Sequence, residues 1–126
     1  MMRVVAAVAC REGRIMAARR GPHVRLAGKW EFPGGKVEPG EDDRAALARE
    51  LEEELSIRVR VGACLGEHVF DGDQGPLCLV AYRVEIVVGE PALSDHDALV
   101  WLAPDELATL DWAEADLPFV EAMVSG

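Results

Sequence analysis

Between Gly34 and Ile57 the chain reads GGKVEPGEDDRAALARELEEELSI, and this stretch narrows the possible folds more than any other. Its second part is rich in Ala, Leu, Arg and Glu, all good helix formers, with neither proline nor glycine after Gly40. At about 100° per residue, Leu47, Ala48, Leu51 and Leu55 fall on one arc of a helix, and Glu50, Glu53 and Glu54 fall on the arc beside it. The apolar arc must face a core. The acidic arc poses a problem, because like charges at these spacings repel by a few tenths of a kcal/mol per pair. Either it is a solvated acidic face, or it gathers a hard divalent cation. Mg²⁺ suits the second reading, since it takes carboxylate oxygens while keeping waters and substrate phosphates in its shell.

A longer pattern encloses this helix. Gly35 is followed after five residues by Glu41, after seven more by Arg49-Glu50-Leu51, and then by Glu53-Glu54 and Ile57. This resembles the Nudix box: glycine, five residues, Glu, seven residues, Arg-Glu-apolar, one residue, Glu-Glu, one residue, glycine, apolar. Ser56 alone departs, standing where the family has glycine. That position follows the helix, where a left-handed backbone is common; serine there costs about 1 kcal/mol, or the cap takes another form.

The resemblance implies an α/β fold, a Nudix-type α/β/α sandwich with a mixed β-sheet, built as one domain over residues 1–126. It also implies a Mg²⁺-dependent enzyme, with Mn²⁺ able to substitute. Glu50, Glu53, Glu54 and the Gly35 carbonyl would hold the metal. One of these glutamates would deprotonate the attacking water, with Glu53 preferred, while Glu41 and Arg49 would fix the ligands' geometry. The segments WEFPGGK and DLPFVEAM look like those of the MutT and CTP-pyrophosphohydrolase branches. From those branches come basic phosphate contacts at Arg20 and Lys36, a base-lining wall at Phe32 and a base-edge contact at Asp116. They also give an additional metal-proximal acid near Asp95 or Asp97. The expected reaction is hydrolysis of a nucleoside triphosphate such as 8-oxo-dGTP to the monophosphate and pyrophosphate. Two alternatives are a Nudix hydrolase of another diphosphate (ADP-ribose or a dinucleoside polyphosphate) and a non-catalytic modified-base-binding module. The intact carboxylate set argues against the module.

Composition limits the partners. A net charge of −10 over 126 residues argues against nonspecific binding to nucleic-acid backbones, which requires a basic surface. It leaves a small nucleotide possible, because bound cations invert the local field. Cys10, Cys64 and Cys78 are widely spaced among apolar neighbours, the pattern of buried reduced thiols in a cytoplasmic protein. The first apolar run, VVAAVAC, is too short for a membrane span. A monomer or a homodimer is equally compatible with these features.

The remaining segments order themselves around the helix. Residues 3–10 are apolar on both faces, as in a central strand, and Glu12-Gly13 turns into GRIMAAR. A loop follows, with Arg19, Arg20, Arg25 and Lys29 concentrating positive charge before the box. Phe32 either fills the core or offers a stacking face. IRVRV alternates as a half-exposed strand running toward Phe70, the cluster 71–76 turns, and Leu77 to Val88 forms a long strand. Ser94-Asp95-His96-Asp97 reads as a loop and Leu99–Leu102 as the last strand. His68 reads as a structural or surface histidine. Pro104-Asp105-Glu106 opens a short helix. Asp116 either N-caps the final helix or faces a ligand, and Phe119, Val120, Met123 and Val124 form that helix's apolar stripe.

Overall fold

The computed structural model describes residues 1–125. Strand β1 (Met2–Arg11) turns through Glu12 (φ 52°) and Gly13 (φ 75°) into β2 (Arg14–Arg20). Two consecutive left-handed residues give the tight turn whose twist suits a hairpin. Short strands β3 (Trp30–Glu31) and β4 (Gly34–Lys36) precede helix α1 (Asp43–Leu55). Strands β5 (Arg58–Gly72), β6 (Gly75–Val88) and β7 (His96–Leu102) follow, and after two 3₁₀ turns the last described element is helix α2 (Leu117–Ser125).

The sheet is mixed: β1 runs parallel to β6, and all other pairs are antiparallel. Its order is β3-β2-β1-β6-β5, with β7 on β2. β1 and β2 pair only near their turn, at Cys10 with Ile15 and Arg11 with Arg14. Beyond it they diverge, and β4 takes the vacated edge of β1, Val4 to Ala6 facing Lys36 to Gly34. The Ala7 amide completes this wedge by donating to the Pro33 carbonyl at 2.8 Å. Gly34 is needed there, because a Cβ would stand 1.9 Å from the Val5 oxygen.

β1 alternates with period two, and both faces are covered. Val5, Ala7 and Ala9 join Leu47, Leu51 and Leu55 beneath α1, while Ala6 and Val8 join Phe32, Leu107, Phe119 and Val120 beneath α2. The result is the expected α/β/α sandwich. Each fully buried leucine of α1 stabilises it by about 1.5–3 kcal/mol.

Several local expectations are corrected. Ala46, not Ala48, is the buried alanine of α1; the two flank the apolar arc, and contact with the sheet selects the first. Arg19 and Arg20 lie inside β2, and His96 and Asp97 inside β7, because pairing between those strands extends to Arg20 with His96. Val124 is 40% exposed, so the stripe of α2 ends with Met123. Cys64 is exposed, since β5 is an edge strand with register shifts on either side of that residue.

Ser56 caps α1 in the left-handed region at φ 58° and ψ 36°, its amide donating to the Glu52 carbonyl at 3.1 Å. Ser56→Gly is therefore expected to stabilise the fold by up to about 1 kcal/mol, the relieved strain being partly offset by a more flexible unfolded chain. Urea midpoints of the two proteins measure this, and a destabilised glycine variant would refute the strain argument.

Candidate active site

The acidic helix is fixed at both ends. Asp42 N-caps it by accepting from the Ala45 amide at 2.8 Å. Asp43 takes a two-pronged bond from Arg3 of β1, each contact 2.7 Å, and a third 2.7 Å bond from the Tyr82 hydroxyl of β6. At the other end, the loop after β6 docks on the last turn, with Ser94 Oγ donating to the Glu54 carbonyl at 2.9 Å and the Ala92 amide to Leu55 at 2.9 Å. That loop carries Asp95.

Glu50 lies against Gly35 of β4, and Glu54 lies near Glu31, Glu50 and Asp95. A Cβ on Gly35 would lie 2.3 Å from the Glu50 carboxyl carbon, so only glycine lets its backbone meet that carboxylate. Arg49 binds both oxygens of Glu41, at 2.7 and 2.9 Å, and also reaches Glu50 at 3.0 Å, Glu53 at 3.2 Å and the Lys36 carbonyl at 3.1 Å. These charged contacts hold the Glu41 carboxyl down at about 2. Glu53 is the outermost of the three box acids, its side chain 60% exposed.

Glu54 is the exceptional group. Its Oε2 is buried with no hydrogen-bond partner. Burial first, then the charges of Glu31, Glu50 and Asp95, push its carboxyl up to about 8. A buried, partnerless carboxylate oxygen among other acids is a costly arrangement that a cation would relieve. Among the described residues no three acid, histidine or cysteine side chains already converge on one point; Arg49 draws Glu50 and Glu53 toward itself. The donor set nonetheless fits a hard divalent ion: Glu50, Glu54 and the neighbouring Gly35 carbonyl offer oxygen only.

A cleft of about 500 Å³ opens beside this cluster, with Arg20, Glu31, Phe32, Lys36, Phe70 and Asp116 among its walls. Phe32 belongs to the α2-side core and to the cleft wall at once, lying against Trp112 with ring centres 4.7 Å apart. Lys36 is exposed at the rim. Asp116 is 6% exposed and does not cap α2; its Oδ1 accepts the Phe32 amide at 3.2 Å. Burial, with the Glu31 charge second, pushes its carboxyl up to about 8. That shift favours the protonated form in the free cleft at neutral pH. The two candidate extra acids separate: Asp95 lies close enough to act on Glu54, whereas Asp97 is bound by Arg19 at 2.7 Å on a half-exposed face.

Sequence reasoning passed over Glu31. It is the hub of the cleft, accepting from Arg20 at 2.9 Å and from the His96 ring at 2.8 Å, while its charge acts on both Glu54 and Asp116. The available signal was an acid between Trp30 and Phe32, on the opposite side of the strand from a core phenylalanine.

Residues 1–123 match the family model described as NUDIX domain. The chain is 42% identical over 125 residues to the CTP pyrophosphohydrolase of Escherichia coli (strain K12), covering 99% of this chain and 93% of that protein. It is 30% identical over 106 residues to the 8-oxo-dGTP diphosphatase of the same organism, covering 84% of this chain and 82% of that one. The crystal structure of MutT protein from Methanosarcina mazei Go1 superposes with a TM-score of 0.87 at 28% identity, over 97% of this chain and 91% of the other.

Proposed function

Because the chain belongs to the Nudix family and is a hydrolase of the MutT type, we propose that it cleaves nucleoside triphosphates in the cytoplasm. The products are the monophosphate and pyrophosphate, the metal is Mg²⁺, and the leading substrates are oxidised nucleotides such as 8-oxo-dGTP. The observation that carries this reading is the partnerless, buried Glu54 oxygen opening beside a cleft that ends on a buried Asp116. The names of the two relatives, one a CTP and one an 8-oxo-dGTP enzyme, support the substrate class.

Glu50, Glu54 and the Gly35 carbonyl would hold the cation, with Asp95 beside them. What such a cation supplies when bound is positive charge against the oxygens of a polyphosphate. The protein's own residues do the rest. Arg49 pins Glu41, Glu50 and Glu53 into one frame, and this limits reorganisation during reaction. Glu53, at the solvent side, receives the proton of the water that attacks phosphorus, and the bond to the bridging oxygen breaks as pyrophosphate departs. Arg20 and Lys36 line the cleft where the phosphate chain would run, and Phe32 gives that cleft an aromatic wall for a base.

Asp116 reads the base. As a neutral acid it presents a donor and an acceptor; ionised, it only accepts. A single side chain thus serves base edges of different pattern, consistent with relatives named for different bases. Asp116→Ala is expected to lower kcat/KM for the best substrate by about 10–100-fold and to reorder the substrates, with the Mg²⁺ requirement unchanged. An unaltered ranking would leave Asp116 a purely structural role at the Phe32 amide. The primary test is release of pyrophosphate and phosphate over a nucleotide panel with Mg²⁺ or chelator. Turnover of ADP-ribose alone would replace the triphosphate reading.

A further inference from the structure

His96 is enclosed, its side chain 2% exposed, yet it belongs to none of the groups assigned above. Its Nε2 lies 2.8 Å from Glu31 Oε2, while its Nδ1 is buried without any partner. An Nε2–H donating to Glu31 leaves only a lone pair unsatisfied at Nδ1, which is easier to tolerate than a stranded N–H. The ring is thus committed to a single contact, and that contact is Glu31.

The backbone explains why this contact matters. His96 pairs with Arg20 across β7 and β2, where a register shift follows Arg19. The Gly21 amide donates to the Asp95 carbonyl at 2.9 Å, and the strands pass so closely that a Cβ on Gly21 would stand 2.8 Å from that oxygen. Arg20 and His96, neighbours across the sheet, divide the two oxygens of Glu31 between them. One carboxylate therefore joins the cleft arginine, the strand that begins beside Asp95, and the acid cluster around Glu54.

We infer that His96 is a positioning residue: its bond to Glu31 fixes that carboxylate between the cation site and the cleft, and sets Arg20 and Asp95 in place with it. The inference rests on the proposed reading of Glu50 and Glu54 as cation ligands. His96 touches neither cation nor nucleotide; it acts through Glu31. Groups that orient an acidic cation site generally change its affinity about 10–100-fold when removed.

The test uses His96→Leu, which fills the space without a donor, and His96→Gln, whose amide can still donate to Glu31. Mn²⁺ is titrated into each protein without nucleotide and followed by electron paramagnetic resonance, alongside thermal midpoints and KM for a triphosphate. The leucine variant is expected to bind Mn²⁺ at least about tenfold more weakly and to raise KM, with the glutamine variant within about threefold of the parent. A purely structural histidine would lower the thermal midpoint in both variants and leave Mn²⁺ affinity untouched, and that result overturns the inference. Should the leucine variant not fold, His96→Asn, which holds its donor too short to reach Glu31, takes its place with the same expectations. If the parent cleaves no nucleotide but the Mn²⁺ difference persists, the proposed substrate falls and the positioning role stands. If the parent binds no Mn²⁺, both fall together.

Discussion

Glu54→Gln is expected to reduce pyrophosphate release by about a hundredfold or more while raising the thermal midpoint of the metal-free protein. The two effects have one origin. Glu54 places an unpartnered oxygen in a buried position, surrounded by Glu31, Glu50 and Asp95, so the metal-free protein must either keep a proton there or bear that repulsion, and both are costly. Glutamine keeps the shape, loses the charge and can donate to Glu50, so the cluster relaxes. The same change removes an anionic oxygen from the surroundings proposed for the cation. Turnover measured at saturating Mg²⁺, with melting in chelator, separates the effects. A variant that is fast, or that melts earlier than its parent in chelator, contradicts the assignment of Glu54.

The metal-free protein should also lose stability as the pH rises from about 5 to 8, and recover it when Mg²⁺ is added. Glu54 and Asp116 are both pushed up to about 8 in the fold, from ordinary values of 4.5 and 3.8. Between the ordinary and folded values the unfolded chain has released these protons while the folded chain keeps them. The folded state then binds more protons, so stability falls as pH rises. Glu41 works in the opposite sense, because Arg49 depresses it to about 2; its contribution is present above 4.5 and lost as pH falls toward 2. The expected loss from pH 5 to 8 is on the order of a few kcal/mol, well short of the full shifts because side chains relax and water enters. Urea midpoints at pH 5, 6.5 and 8, in chelator and in Mg²⁺, provide the measurement. A flat or rising chelator curve would remove the buried-acid account, and a Mg²⁺ curve parallel to it would remove the cation from this cluster.

Local chemistry made much of this site legible before the fold was known. The arc of Leu47, Leu51 and Leu55 and the two apolar faces of residues 3–10 are short-range patterns that the fold obeys, and the spacing of the box brings Gly35 against Glu50. Where expectation failed, a distant partner decided. Asp116 stands just before Leu117-Pro118, the setting of an N-cap, yet the Phe32 amide 84 residues away claims its oxygen. Nothing near Glu31 in the chain announces Arg20 and His96, which reach it only through the pairing of β3 and β7 with β2. Asp95 and Asp97 are indistinguishable along the chain; Arg19 draws one away, and the docked loop carries the other toward Glu54. Ala46 and Ala48 stand on either side of the leucine arc, about 160° apart at about 100° per residue, and only packing against the sheet decides that Ala46 is the buried one.

The Pro33–Gly34 wedge has a bearing on how such a protein diversifies. With β4 pressed against β1 so closely that Gly34 tolerates no side chain, the frame behind the acids is closed to drift. The opposite holds at the mouth, where Arg25 meets Asp73 at 2.5 Å between two solvent-exposed turns. A library aimed at new nucleotides should therefore randomise positions 22–27 and 71–75 and leave 33–36 alone, so that selectivity is free to wander while the hydrolytic engine stays put.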